Sequence, residues 1–437
     1  MLGESRCLDL VKAALAACEA DQAEVMLHSS NSALTRFAES RIHQNVSEVN
    51  ATLSVRAVLG KRIGCARTNQ LTADEARAAA RRALDLARVS AENVEFASLP
   101  GPQPIPSVDC YAAATAASTP EERAAAARVI AGIAGKSGCT ASGSISAEAA
   151  ELAIGNSLGV LAYTPLTQAS LVLVVSDEGS SGYAEWRGVD LAQMDAQAAA
   201  HTATRKCVDG RGAEAGVPGE YTVILEPAAV GELVFFLGYL GMGALALQEG
   251  RSFLTGRLGE KVAGDNVTIW DDGTDGRGLA MPFDWEGQPK RKVMLVENGI
   301  GRGVVYDSYT AAREKRETTG HALLAPNTAG PLPLNMFLAP GEASLDEMVA
   351  STERGILVTR FHYVNVVHER ETILTGMTRD GTFLIEKGKR TKPLKNLRFT
   401  QSVLGALSKV EMIGKECALA EYAYVPALKV GQFSFTS

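Results

Sequence analysis

No two cysteines in this sequence stand in a CxxC or short finger spacing. The seven present, Cys7, Cys18, Cys65, Cys110, Cys139, Cys207 and Cys417, are scattered and odd in number. That pattern excludes the disulfide framework of a small secreted domain and reads as reduced, mostly buried thiols. Nor does the chain open like a secretory signal, because Glu4, Asp9 and Glu19 interrupt its apolar start; a cytoplasmic protein is expected. The longest uncharged apolar run, Leu233 to Leu247, has 15 residues and falls short of the roughly 20 that a spanning helix needs. No GxxxxGK[ST] and no GxSxG occurs, and no GxGxxG follows a strand, so a nucleotide loop and a nucleophile elbow are absent. A surplus of positive charge is lacking too. The 43 basic against 50 acidic side chains leave a net charge of −7, which argues against a broad nucleic-acid surface and against a membrane-binding one.

What is present is apolar substance. With 437 residues, 46% apolar and 21% charged, the chain has material for two or three cored domains. Leu8, Val11, Leu15 and Cys18 recur at helical spacing, and strands are expected at Ala23–His28 and Thr52–Val58. A turn at Leu59–Arg62 leads to a strand over Ile63–Ala66, and Thr72-Ala73-Asp74-Glu75 spells a capping box for an Ala-rich helix to about Arg88. Four prolines in eight residues over Leu99–Pro106 mark a first boundary. Thr119-Pro120-Glu121-Glu122 opens a second helix, followed by strands at Ala147–Asn156, Val160–Thr164 and Ala169–Ser176 and a helix from about Asp190 to Cys207. Beyond Gly219, strands are expected at Tyr221–Leu225, Asn266–Trp270, Lys292–Val296, Leu357–Val367, Phe383–Glu386 and near Leu397, with helices at Ser344–Glu353 and Thr400–Leu407. The fold class is α+β and multi-domain, with mixed and antiparallel sheets, flanking helices and a large β-rich C-terminal unit. The units read as 1–98, 107–216 and 217–437.

Residues that could carry chemistry are few. His362 and His368 share a strand face, but a straight strand at about 3.3 Å per residue puts them roughly 20 Å apart, too far for one zinc ion. His321 stands in a loop where a histidine can meet substrate, although a satisfied core histidine is the plainer reading. Asp271-Asp272-Gly273-Thr274-Asp275-Gly276 lacks the spacing and terminal glutamate of a calcium loop and reads as a turn. Lys387-Gly388-Lys389-Arg390-Thr391-Lys392 reads as a solvated hairpin rather than a nucleic-acid patch. Gly238, Gly241 and Gly243 read as packing glycines on a buried helix.

Several phrases appear in order along the chain: Gly60-Lys61-Arg62-Ile63-Gly64 with Thr68-Asn69, Ser252 to Val262, Asp271-Asp272-Gly273-Thr274, Val296-Glu297-Asn298-Gly299-Ile300-Gly301-Arg302-Gly303, Leu345-Asp346-Glu347-Met348 with Glu353-Arg354-Gly355-Ile356, and Phe383 to Lys389. In these the chain resembles the TldD/PmbA (TldE) family of peptidase-related proteins over nearly its whole length. In the catalytic TldD branch an HExxxH helix and a cysteine near the C-terminus hold zinc. Here Phe235 and Leu240 occupy the implied histidine positions, Phe236 the glutamate position, and the tail from Tyr422 contains no cysteine. Aromatic and aliphatic groups cannot replace imidazole or thiolate, so the resemblance is to the PmbA (TldE) branch.

The resemblance implies a non-catalytic or divergent subunit with no metal of its own, paired with a zinc-bearing TldD-like partner or self-associated as a homodimer, acting on unfolded peptides. An extended peptide would add to an exposed strand edge. Tyr309, Arg313, His321, Asn327 and Asn335 fall in the region corresponding to the family's substrate-facing loops and are the candidate contacts. Two alternatives stand beside this reading: an active metallopeptidase with relocated ligands drawn from His321, His362 and His368, and a homo-oligomeric peptide-binding protein. A role in DNA topology, once attached to the family's name, has no support in a chain of this charge.

Overall fold

The computed structural model describes residues 1–436. Its first sheet is antiparallel and has six strands in the order β3-β2-β1-β4-β5-β6: β1 (Gln22–Ala38), β2 (Arg41–Leu59), β3 (Arg62–Thr68), β4 (Thr140–Asn156), β5 (Leu161–Ser176) and β6 (Ser181–Gly188). Its helices are α1 (Glu4–Ala16), α2 (Ala73–Val89), the short α3 (Ala113–Ala116), α4 (Pro120–Lys136) and α5 (Ala196–Asp209). The expected caps form in part: Thr119 makes a complete capping box with Glu122, whereas Thr72 accepts from the Glu75 N–H without the reciprocal bond.

Alternation decides how this sheet is covered. Val25, Leu27, Phe37, Ile145 and Leu171 face the helices, packing with α1 and α2 at one end and α4 and α5 at the other. Met26, Leu152 and Ile154 face the opposite way and meet Phe283 from the C-terminal half of the chain. Both faces are therefore dry near Val25, which is why Val25–Leu27 is apolar without alternation.

Two expectations about this region change. The stretches 1–98 and 107–216 contribute three strands each to one sheet, because β1 pairs with β4 from Glu24↔Asn156 to Phe37↔Gly143. The proline-rich boundary between them is thus a strap along a shared layer, fastened by Asn156 Nδ2 donating to Pro100 O and Gln288 Nε2 donating to Gly101 O. The two strands expected around Pro165 are one strand, β5. β6 pairs with β5 only from Ala169 onward, so Pro165 lies where a missing N–H costs least.

The C-terminal half holds a second, mixed sheet. Its elements are β7 (Gly219–Leu225), α6 (Pro227–Gly241), α7 (Ala244–Gln248), β8 (Ile269–Asp271), β9 (Val293–Glu297), β10 (Ile300–Gly301), α8 (Ser308–Arg313), β11 (Met336–Leu338), α9 (Leu345–Ala350), β12 (Arg354–His368), β13 (Ile373–Glu386), β14 (Lys389–Pro393), β15 (Arg398–Ser402), α10 (Val403–Leu407), β16 (Val410–Ala420) and β17 (Ala423–Phe435). β7 pairs with both β12 and β17, so β7, β12, β13, β15 and β17 close into a ring. Phe361, Phe399 and Phe433 pack within it, with ring centroids 4.5–5.8 Å apart. The basic hairpin forms between β13 and β14, with Lys387 and Gly388 at positive φ as a tight turn requires. Among the described residues no helix is long and apolar enough to cross a membrane.

Candidate functional site in the cleft between the sheets

Helix α6 starts with Pro227 at its first position, where the ring's fixed φ suits a helix and no N–H bond is lost. It packs on β12, β16 and β17, burying Val230, Leu233, Val234 and Leu237. Gly238 lets it approach closely, since a Cβ there would stand 2.8 Å from Met336 Cε. Ala228, Glu232, Phe235, Phe236 and Tyr239 recur at helical spacing and form the less buried stripe. Phe235 is the centre of an aromatic wall, 6.4 Å from stacked Tyr239, 5.5 Å from Phe236 and 5.7 Å from Tyr422 in the β16–β17 turn. Leu240, only 4% exposed, belongs to the core. Phe235, Phe236 and Leu240 offer no metal-donor atom, and the neighbour from the C-terminal hairpin is a tyrosine ring. Zinc does not fit here.

Across the cleft lies β6, an edge strand paired only with β5. Ser181, Tyr183, Glu185 and Arg187 alternate along it and connect to the C-terminal half. Ser181 Oγ donates to Asp380 Oδ1 at 2.6 Å, and Asp380 also holds Arg360 Nε at 2.7 Å. The Arg360 guanidinium lies 4.3 Å from the Tyr183 ring centroid, and Tyr183 Oη donates to Glu185 Oε2 at 3.0 Å. Arg187 stands between Glu185 (3.7 Å) and Glu421 (3.4 Å). Lys206 on α5 pairs with Glu226 at the start of α6.

These ion pairs leave one carboxylate poorly compensated. Burial, then the Glu421 charge, pushes the Glu232 carboxyl up to about 7, against partial relief from Arg360. Glu185 is raised as well, chiefly by burial. A cavity of about 330 Å³ lies between β6, α5 and the start of α6, and one of about 730 Å³ adjoins it toward Arg277 and Tyr424. Glu185, Trp186, Gln193 and Ala418 line both. β16 borders them on the far side through Cys417–Ala420 and pairs with β17, while the main chain of Ile413–Lys415 is bonded to Gly341 and Ala343.

The residues expected to meet substrate lie elsewhere. His321 and Asn335 come together, but in the interior. The His321 ring is wholly enclosed, with Nε2 2.7 Å from Asp271 Oδ1 and Nδ1 2.9 Å from Thr319 Oγ1. Burial, with Lys290 nearby, lowers its pKa. Burial also acts to raise Asp271, but His321, Lys290 and the Asn335 N–H outweigh it and hold the carboxyl below its usual range. The imidazole and the carboxylate are thus each other's hydrogen-bond partners in the interior. Asn335 donates to Asp272 O at 2.7 Å and accepts from Leu279 N at 2.7 Å, so it builds the acidic turn. Neither side chain is placed to touch a ligand, because each is sealed in and fully engaged. Tyr309 and Arg313 on α8 bind Glu95 at 3.0 and 3.2 Å, and Asn327 closes its own loop on Gly330 O and Ala329 N. His362 and His368 do not share a simple face, because β12 shifts register twice between them.

Sequence reasoning passed over Glu232, Tyr183, Glu185, Arg187, Arg360 and Glu421. One signal was available: Glu232 is the only charged residue from Pro227 to Leu247.

A closed ring of strands carrying an apolar helix, set against a six-stranded antiparallel sheet with flanking helices, defines a mixed α+β protein. The family model described as PmbA/TldA metallopeptidase C-terminal domain matches residues 218–437, and the one described as PmbA/TldA metallopeptidase domain 1 matches residues 23–87. The chain belongs to the TldD/PmbA family. It is 31% identical over 207 residues to a metalloprotease of Methanothermobacter thermautotrophicus, covering 46% of this chain and 44% of that one. A TldD homologue of Haemophilus influenzae is 30% identical over 173 residues, 38% of this chain and 35% of that one. The matched stretch thus spans less than half the length of these curated relatives. Among solved structures, TldE from Thermococcus kodakarensis superposes with a TM-score of 0.90 at 19% identity, covering 99% of this chain and all of that one. A Thermotoga maritima protein described as a putative modulator of a DNA gyrase gives 0.87 at 18% identity, covering 98% and 99%. At these identities the likeness establishes the fold.

Proposed function

We propose that this chain is a non-catalytic, or divergent, TldE/PmbA-like subunit that holds extended, unfolded peptide in the cleft between β6 and β16. One observation carries the reading. Helix α6, whose first residues Pro227 and Ala228 line the cleft, carries Phe235, Phe236 and Tyr239 where the family resemblance implies ligands, so aromatic rings stand where a metal would act. Such rings give apolar contact to any side chain, and the strand edges give sequence-tolerant main-chain hydrogen bonds. The chemistry is assigned to a TldD-like partner bearing HExxxH and zinc, and a homodimer binding peptide without such a partner is the alternative assembly. A cytoplasmic setting suits seven free thiols.

The test is hydrolysis of an unstructured peptide by the pure chain, with and without added zinc, and again after mixing with an HExxxH-bearing subunit from the same organism. The expected result is no cleavage alone and cleavage in the mixture. Cleavage by the pure chain that disappears in His362→Ala or His368→Ala would replace this reading with relocated ligands.

A further inference from the structure

We infer that Cys139, Asp177 and Cys207 form a structural binding site for a thiophilic divalent cation, with zinc the best chemical match. The three residues come from separate segments that the fold brings to one point. Cys139 directly precedes β4 and Asp177 directly follows β5, flanking the terminal pair Thr140↔Ser176 of the two strands. Cys207 lies in the last turn of α5. Gly182 on β6 lets that helix press onto the sheet, since a Cβ there would stand 2.6 Å from Cys207 N.

The geometry suits a tetrahedral ion. The ligand atoms of the three residues all lie within 4.8 Å of one another, and the two sulfurs are 3.7 Å apart. Two thiolates on a tetrahedral zinc, each about 2.3 Å from the metal, stand about 3.8 Å apart. A disulfide would need about 2.05 Å. Ser180 Oγ, 3.4 Å from Cys207 Sγ and 2.7 Å from Asp177 Oδ1, marks the fourth direction, for its own oxygen or for water. Charge also closes. Two thiolates and a carboxylate around a divalent ion leave one negative charge, and Arg211 supplies the matching positive one. Its Nε donates to Asp177 Oδ2 at 2.6 Å, while Nη2 donates to Cys139 Sγ at 3.5 Å and to Ser137 O at 2.9 Å.

Both cysteines are buried in the core between α4, α5 and the sheet, so the ion would be sealed from substrate and would act as a staple. Each thiol gives up its proton on ligation, and the ion takes the two sulfur lone pairs with no redox change. The staple ties the end of α5 to the β5–β6 turn, and β6 continues from that turn into the cleft. The inference does not rest on the peptide-binding reading, since none of its residues lies on α6.

Cobalt(II) titration of the full chain under anaerobic, reducing conditions tests it. The expected result is saturation at one ion per chain, with a near-ultraviolet sulfur-to-cobalt band and the strong visible bands of tetrahedral cobalt, all removed by added zinc. Cys139→Ala and Cys207→Ala should each lose most of the band, and Arg211→Ala should weaken binding by roughly tenfold. Cys18→Ser should change nothing. Asp177→Asn, which keeps an oxygen for Ser180, guards against a folding artefact and should also lose affinity. Absence of the band in the parent chain, a band unchanged in the cysteine variants, or a Cys139–Cys207 disulfide in protein purified under reductant would each overturn the inference.

Discussion

The enclosed cluster around His321 and the cleft around Glu232 use similar side chains to opposite ends. In the first, Asp271, His321, Thr319 and Asn335 satisfy one another in the dry interior. In the second, Glu185 and Arg187 line a cavity, and the charges of Glu421, Arg360 and Glu185 act on Glu232, whose carboxyl is left with a raised pKa. A polar group that has spent its bonds inside the fold holds the fold together. A polar group held short of compensation keeps a charge state that can still change.

The largest expected effect comes from breaking the enclosed cluster. Asp271→Ala leaves His321 and the Asn335 N–H without their acceptor and should cost about 3–5 kcal/mol in chemical denaturation. A loss under about 1 kcal/mol would show that the cluster is not structural. The next effect is pH-dependent and belongs to the cleft. The folded chain keeps the Glu232 proton to about pH 7, whereas an ordinary glutamate releases it near 4.5. The unfolded state therefore binds fewer protons across that window, and this group's contribution to stability falls as pH rises from 4.5 to 7. Glu24 and Asp284, both pushed up to about 7 chiefly by burial, act in the same direction, so the comparison with Glu232→Gln isolates the cleft. That variant should be more stable than the parent at pH 8, by on the order of 2 kcal/mol, with the advantage vanishing near pH 4.5. A constant difference at all pH values would refute the assignment.

How much of this was legible beforehand follows from which forces are local. Thr119 with Glu122 announced α4 because a cap is a four-residue event, and the Leu59–Arg62 turn between β2 and β3 was equally plain. The β16–β17 hairpin was missed although it supplies a border of the cleft. Glu411, Lys415, Glu416 and Lys429 interrupt its apolar alternation, and Gly414 and Pro426 punctuate it. The C-terminal phrases nonetheless carried the family. His321 and Asn335 stand as candidates because they fall in the region corresponding to the family's substrate-facing loops. Their enclosure depends on Asp271, which is 50 positions from His321 and 64 from Asn335 in sequence, a separation that no local pattern reports. Glu232 was visible as the lone charge in an apolar helix, yet its environment is set by Glu185 on β6, Arg360 on β12 and Glu421 in the β16–β17 turn.

The central claim is that the two strand edges hold peptide that this chain does not cut. Hydrogen exchange of the pure chain with a saturating unstructured peptide, followed by mass analysis of that peptide, addresses both halves at once. The account predicts slowed exchange in β6 and β16, with the peptide recovered intact. Protection confined to the loops bearing Tyr309, Arg313 and Asn327, or a peptide recovered as fragments, would contradict it.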